Sequence, residues 1–196
     1  EMCIRDSSYV DKYNMVQELV DGGTFLLNCS WDMEGLEEHL PGQVKSYIAN
    51  HNIKFYTIDG IKIGKEIGLG GRINTVLQSA FFKLAAIIPE EEAIDLMKAA
   101  AKATYGRKGD KIVQMNYDAI DAGAKQVVEI AVPESWKDAA DEGLTTPHVG
   151  EGGRADVVDF VKNIQAKVNA QEGNTLPVSA FNEYVDGSTP VSYTHL

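Results

Sequence analysis

The sequence predicts an α/β fold: a partial Rossmann-like, doubly wound parallel sheet with helices on both faces, its N-terminal part missing, and an extended C-terminal tail. Three observations predict it. Two short runs read as strands: Thr24–Asn28, nearly all apolar as expected of a strand covered on both faces, and Ile53–Ile58, which ends at Asp59-Gly60. Segments of helical periodicity flank each run, the alternation that builds a parallel sheet. The chain of 196 residues is 44% hydrophobic and 24% charged, a balance that forms a core and argues against disorder. Two strands are too few for such a sheet, hence the missing part.

The elements follow in order. Tyr9 to Asp21 reads as a helix, because Val10, Tyr13, Val16, Leu19 and Val20 recur on one face, and Gly22-Gly23 ends it. After the first strand, Ser30 or Asp32 caps a helix running to His39. Pro41-Gly42 breaks that helix, and Val44, Tyr47 and Ile48 mark another before the second strand, which ends at Asp59-Gly60. Ile73 to Ile88 is a helix apolar almost all round, as one buried in a core or against another domain must be. Pro89 and Glu90 to Glu92 open the next helix with acids at its positive end; Lys98 and Lys102 lie toward the far end and Gly106 closes it. Asp110 caps a long helix to about Ile130, ended by Pro133. Glu134 to Gly153 is rich in acids, Gly, Thr and Pro and reads as a linker. Val157, Val158, Phe160, Val161, Ile164 and Val168 mark a late amphipathic helix, and Gly173 to Pro190 is an irregular tail with Leu176, Val178 and Phe181 expected to be buried.

Composition excludes several functions. The net charge of −11 argues against nonspecific binding of nucleic acid, which rests on many cationic contacts to phosphate. Two cysteines, Cys3 and Cys29, cannot supply a four-cysteine cluster or zinc site, and no disulfide framework is expected. No apolar run approaches the roughly 20 residues that span a membrane. Glu1 to Ser7 lacks a charged-then-apolar leader pattern, and a cytoplasmic location is expected. The ends differ from the middle. Residues 1–7 and 191–196 resemble translated sequencing-adapter read-through and are set aside from fold reasoning, which makes the chain a piece of a longer one.

The strongest local feature is Gly68-Leu69-Gly70-Gly71-Arg72 before the apolar helix. Glycines let a backbone approach an anion, a helix start offers free N–H groups, and Arg72 adds a planar cation that matches phosphate. The spacing is neither the dinucleotide fingerprint nor a P-loop, and a tight turn that packs the helix closely accounts for it equally well. A near copy, Gly150 to Arg154, contains Glu151, which repels phosphate, and reads as linker. Asn74 lies in the first turn of the apolar helix, where its amide caps the helix or reaches a ligand. Asn116 falls on the apolar stripe of its helix with Ile112, Ala119, Ile120, Gly123 and Val127; on pattern alone, its amide is bonded to a neighbouring loop. Cys29 reads as a small buried residue. His39, His51 and His148 show no metal spacing, the Glu37–Glu38 and Glu90–Glu92 runs are solvated faces, and no nucleophile elbow occurs.

Several ordered motifs carry a family resemblance. They are Tyr9-Val10-Asp11-Lys12-Tyr13-Asn14, Asp21 through Trp31, Gly68 through Asn74, Gln78 through Leu84, Tyr105 through Gly109, Lys111 through Asn116, and Leu176 through Phe181. Together they resemble the pyruvate:ferredoxin (flavodoxin) oxidoreductase family over roughly Ser8 to Pro190. The resemblance implies a parent enzyme that decarboxylates pyruvate on thiamine diphosphate with Mg2+, passes electrons through 4Fe-4S clusters to ferredoxin or flavodoxin, and forms acetyl-CoA. It implies a gamma-type domain over residues 8–133 and a linker over 134–190. Other domains of the same enzyme are its partners, the parent is a homodimer, and the piece alone is inactive. Asn74 and Asn116 fall on the family's coenzyme A (CoA) contacts, which outweighs the loop-bonded alternative for Asn116. Gly70, Gly71 and Arg72 are expected as phosphate neighbours on their own chemistry. The family's Gly-Ser-Asp-Gly-Thr-Val loop, which completes the CoA site, is absent here, and residues 146–154 match poorly. A stand-alone gamma-type subunit of a 2-oxoacid:ferredoxin oxidoreductase complex is the alternative.

Overall fold

The computed structural model describes residues 2–140, 142 and 154–190. Four strands form one sheet in the order β1 (Met2–Asp6), β2 (Thr24–Asn28), β3 (Lys54–Ile58), β4 (Val128–Glu129). The first three are parallel, with Met2 opposite Thr24 and Thr24 opposite Lys54. The last is antiparallel, with Val128 opposite Thr57. The strand β1 comes from residues set aside above, so the parallel part has three strands where the sequence suggested two. The open edge of β2 supplies the hydrogen bonds that a short strand needs, and little sequence signal is required.

Side chains alternate across β2 and β3 and meet helices on both faces. On one face Phe25 stacks on Phe55 with ring centroids 5.4 Å apart, and Trp136 lies 6.2 Å from Phe55. Trp136 is carried by a 3-10 segment, Glu134–Asp138, that packs along α2 (Gly42–Asn50). On the other face Leu26 and Ile58 join Ile63 of α3 (Gly60–Ile67), Val76 and Ala80 of α4 (Asn74–Ala85), and Ala119 of α6 (Asp110–Lys125) in one buried cluster. Between α4 and α6 in the chain lies α5 (Glu90–Tyr105), which packs on both.

The caps explain two helix starts. The Asp32 carboxylate accepts from the Gly35 N–H at 2.9 Å to open α1 (Met33–His39). The Asp59 carboxylate accepts from the Lys62 N–H at 2.8 Å to open α3, a helix not expected from the sequence.

Other expectations are corrected. Tyr9 to Asp21 is not a helix: after a 3-10 turn at Ser7–Tyr9 it follows turns. The Asn14 side chain takes the Val16 N–H, and the Tyr47 hydroxyl donates to the Gln17 and Leu19 carbonyls. These bonds replace a helical ladder, so the apolar spacing of Val10, Val16 and Leu19 records burial rather than helical period. The helix α4 is buried along one face only, at Val76, Ser79 and Ala80. Gly106 does close α5, its N–H donating to the Lys102 carbonyl, and it also begins a 3-10 turn, Gly106–Lys108, after which Gly109 takes a positive φ of +99°. The helix from Asp110 ends at Lys125 because the following apolar residues pair as β4.

The expected linker begins inside the domain. Trp136 is 1% exposed, and Ser46 and Asn50 side chains both donate to the Lys137 carbonyl. The Gly42 N–H donates to the Glu142 carbonyl at 2.9 Å. A Cβ on Gly42 would lie 1.7 Å from the Ala140 carbonyl oxygen, an approach that only glycine permits.

The described residues fall into two compact units: 2–10 with 14–142, and 11–13 with 154–190. In the second unit, α7 (Ala155–Phe160) runs through a π-helical stretch, Val161–Gln165, into α8 (Ala166–Asn169), as the apolar spacing anticipated. Phe160 meets the Tyr184 ring edge-on at 5.1 Å. Leu176 is half-buried, but Val178 is 89% exposed and Phe181 is exposed too, against expectation, because Val178–Tyr184 is a 3-10 helix with little packed over it in this unit. Residues 143–153 and 191–196, including His148, Gly150 to Gly153 and His195, lie outside the described residues.

Candidate functional site

The glycine loop is built by the end of α3. The Gly64 carbonyl accepts from the Leu69 and Gly70 N–H groups at 2.8 and 3.1 Å, and Gly68 turns left-handed at φ +91°. A Cβ on Gly64 would sit 2.6 Å from the Gly70 carbonyl oxygen, so the close return of the loop requires glycine there. The Arg72 and Ile73 N–H groups are bonded inside the loop, to the Leu69 and Gly71 carbonyls. The backbone donors of Leu69, Gly70, Arg72 and Ile73 are therefore committed, and the tight-turn account describes this loop. Gly70 and Gly71 shape the turn rather than presenting a row of free amides.

What the turn presents is the start of α4. That helix opens with no side-chain cap, so no capping side chain satisfies its first N–H groups. Arg72 and Asn74 are exposed beside it, and neither side chain takes part in a hydrogen bond or ion pair among the described residues. Asn74 does not cap the helix.

Asn116 lies opposite. It is 4% exposed; its amide donates to the Ile112 carbonyl one turn back at 2.8 Å, and its carbonyl oxygen accepts from the Thr75 hydroxyl at 3.4 Å. An amide has two donors and two acceptor lone pairs, so half of this capacity is left. Thr75, the neighbour of Asn74, thus ties the start of α4 to α6. Gly68 reaches the same place, since a Cβ on it would lie 3.2 Å from the Met115 terminal methyl. The fold brings Arg72, Asn74 and Asn116 to one region, where periodicity alone had given Asn116 a neighbouring loop as partner. Thr75, invisible to sequence reasoning, makes the link; no sequence pattern marks a threonine whose partner is 41 positions away.

The carboxyl ends of β2 and β3 form a second concavity of about 400 Å³ that includes Asn28, Cys29, Asp59 and Lys62. Open α/β sheets commonly bind ligands at such an edge. Here its buried amide is engaged: Asn28 accepts from the Gly60 N–H at 2.9 Å and donates to Asp6 at 3.3 Å. Burial pushes the Cys29 thiol above the ordinary cysteine range, the opposite of what a nucleophile requires. Among the described residues, no group of three or more His, Cys, Asp and Glu side chains is arranged to hold a metal ion, and no helix is long and apolar enough to cross a membrane.

A family model described as pyruvate ferredoxin/flavodoxin oxidoreductase matches residues 2–126. The chain belongs to that family. Relatives of this oxidoreductase family include the pyruvate-flavodoxin oxidoreductase of Enterobacter agglomerans, 45% identical over 183 residues, 93% of this chain and 15% of that protein. The pyruvate:ferredoxin oxidoreductase of Moorella thermoacetica is 43% identical over 187 residues, 95% of this chain and 15% of that protein. The pyruvate dehydrogenase [NADP(+)] of Cryptosporidium parvum is 37% identical over 213 residues, 98% of this chain and 11% of that protein. The chain therefore spans about 15% of the length of the first two of these curated relatives. A second model, described as a domain of unknown function, matches residues 151–195. The two matches take in residues 2–7 and 191–195, both set aside above. The crystal structure of pyruvate oxidoreductase subunit PORC from Thermotoga maritima superposes with a TM-score of 0.51 at 17% identity, covering 65% of this chain and 63% of that one, a likeness of fold.

Proposed function

We propose that this chain is the gamma-type domain and following segment of a pyruvate:ferredoxin or flavodoxin oxidoreductase, and that it supplies part of the CoA site. The observation that carries this reading is the convergence of Asn74 and Asn116 through Thr75 at the uncapped start of α4. CoA is anionic at its nucleotide end and bears amides and hydroxyls along its arm. An exposed guanidinium, free helix-start N–H groups and two amides with spare capacity suit such a ligand. Arg72 attracts phosphate, Asn74 and Asn116 orient the molecule, and the rest of the enzyme completes the site and holds the reacting carbon.

The chain's own residues do not fit the remaining cofactors. It holds two cysteines where a 4Fe-4S cluster takes four, and Cys29 is buried, so 4Fe-4S clusters are assigned to other parts of the enzyme. Thiamine diphosphate and Mg2+ are likewise assigned elsewhere in the parent, as is the docking of ferredoxin or flavodoxin. A cytoplasmic homodimer is the proposed context. The rival, a separate gamma-type subunit, shares its fold with the Thermotoga protein and is distinguished by the flanking coding sequence.

The test is Asn74→Ala in the full-length enzyme. Asn74 makes no internal bond, so the variant keeps wild-type stability while KM for CoA rises roughly five- to tenfold, the worth of one or two hydrogen bonds, and KM for pyruvate stays unchanged. Unaltered CoA kinetics in both Asn74→Ala and Asn116→Ala would remove the site assignment.

A further inference from the structure

The groove between α4 and α5 takes no part in the site described so far. The two helices are consecutive and joined by residues 86–89, so Thr75 and Thr104 meet at one end of the groove and Ile88 and Ala93 at the other. The groove has a volume of about 340 Å³, the scale of a few side chains. Phe82 and the buried Met97 make its wall apolar, and Leu96 stands 57% exposed on its rim. Apolar surface left open in this way favours whatever covers it. Charge changes sign along the groove. Glu92 lies one helical turn before Leu96, with Glu91 beside it. Arg107 and Lys108 follow the opposite end, in the 3-10 turn after α5, and the Lys108 ammonium lies 5.5 Å from the Tyr105 ring centroid. All four charged residues are exposed, and none joins an ion pair among the described residues.

We infer that this groove seats an amphipathic helix supplied by the parent enzyme from outside this chain. The helix lies antiparallel to α5, with acidic side chains at its start against Arg107 and Lys108 and basic ones at its end against Glu91 and Glu92. The inference rests on the reading of the chain as one part of a larger enzyme, and it names a surface through which the rest adjoins it. The chain spans about 15% of the length of two of its relatives, so most of such an enzyme lies outside it. The groove is walled by two helices, whose backbone groups are bonded within themselves. It offers no edge to an extended segment, which would bury its own N–H and C=O groups unpaired. A helix arrives with its backbone satisfied, and an apolar stripe on it packs between two neighbours. Charge gives the direction. A helix favours acids in its first turn and bases in its last, because its ends carry partial charges. That order meets the cations beyond Thr104 and the anions before Leu96 when the helix runs from the former to the latter. A second copy of this chain, α5 against α5, brings charges in the same order, but it presents another groove, and two concavities leave both unfilled.

The experiment is photo-crosslinking in the purified full-length enzyme, with p-benzoylphenylalanine in place of Leu96 or of Thr104, both exposed on the groove. Each variant is expected to capture a peptide of the parent outside residues 1–196, identified by mass spectrometry. The residue captured from Thr104 precedes the one captured from Leu96 by about eight positions, since antiparallel helices rise equally per residue. Arg107→Glu together with Lys108→Glu, at exposed positions outside the core, lowers capture from Leu96 by roughly threefold or more, as expected of rim charges. Lysines in place of the acids that begin the captured helix restore it. No capture from either position, capture of α5 from a second copy, capture in the reverse order, or capture unmoved by the charge reversal overturns the inference. Capture is read without CoA, so its failure leaves Asn74 and Asn116 to their own kinetics, and the loss of that assignment leaves capture unchanged.

Discussion

Gly123 decides how closely α4 and α6 approach. A Cβ there would lie 2.3 Å from the Val76 carbonyl oxygen and 2.9 Å from the Ser79 Cβ, both parts of α4 that do not yield easily. Gly123→Ala is expected to destabilise the chain by roughly 1–3 kcal/mol, the usual cost of overpacking, as read by denaturant unfolding. Because Thr75 bonds Asn116 across the same pair of helices, the variant in the full-length enzyme is expected to weaken the proposed CoA use as well; unchanged stability would mean the helices part without cost. At this scale the sequence was partly legible. It singled out Asn74, Asn116 and the glycine loop, but not which glycine mattered. The Leu69 and Gly70 N–H groups are taken by Gly64, a partner that looks like an ordinary helix glycine in the sequence, and those of Arg72 and Ile73 by carbonyls of the loop itself. Cys29 was read correctly as a small buried residue because a short apolar run ending before a polar one places its last residue at the core's edge.

The segment Glu134–Asp138 is an element held by one side chain. Trp136 is fully enclosed, and its indole N–H donates to the Glu37 carboxylate, beside which lies the Lys45 ammonium, 3.2 Å away. Trp136→Ala is expected to cost about 3–5 kcal/mol, as large-to-small changes in a core do, and to release the segment from α2, measured by calorimetry and by proteolysis near residue 137. The Trp136 hydrogen bond, and after it Lys45, holds the Glu37 carboxyl below the ordinary glutamate range. A depressed folded-state pKa means the contact stabilises above the ordinary glutamate value and is lost as pH falls through the folded one. Glu37 is half exposed, so solvent screens the effect and it is small. Glu37→Gln should flatten the acid limb of the stability profile; an unchanged limb would place the acid sensitivity elsewhere. The sequence reading of this segment as linker failed because one buried tryptophan outweighs its polar neighbours Glu134, Ser135, Lys137 and Asp138 only when α2 and Phe55 are there to receive it. Strand β2 was legible because a sheet covered on both faces leaves a nearly continuous apolar run, and β3 because its aromatic and β-branched residues stop at Asp59-Gly60. Tyr9 to Asp21 misled because burial without a ladder mimics helical spacing.

For the whole molecule, the ratio of lengths governs the prediction. The chain spans about 15% of the length of two of its relatives; on the proposed reading it holds one side of a site, and its two cysteines cannot supply the four that a 4Fe-4S cluster takes. Purified alone, it is expected to bring about no pyruvate-dependent reduction of ferredoxin, flavodoxin or a viologen dye when CoA, thiamine diphosphate and Mg2+ are supplied. Turnover by the isolated chain would contradict the proposed division of labour. The exposed apolar residues Ile87, Leu96, Val178 and Val185 belong to the same picture, since a piece of a larger enzyme leaves surfaces that the remainder covers.

By itself the sequence determined the fold class, the two central strands, most helix starts and the family, and it singled out Asn74 and Asn116 as candidates, because these follow from short-range pattern, capping chemistry and ordered motifs. Tertiary structure alone decided that Met2–Asp6 joins the sheet, that residues 134–140 belong to the domain, that the glycine loop is a turn rather than an amide cradle, and that Thr75 links α4 to Asn116. Each of these depends on a partner far along the chain. A local pattern carries the preference of a residue for its own neighbours; it does not say which distant backbone will arrive to satisfy it.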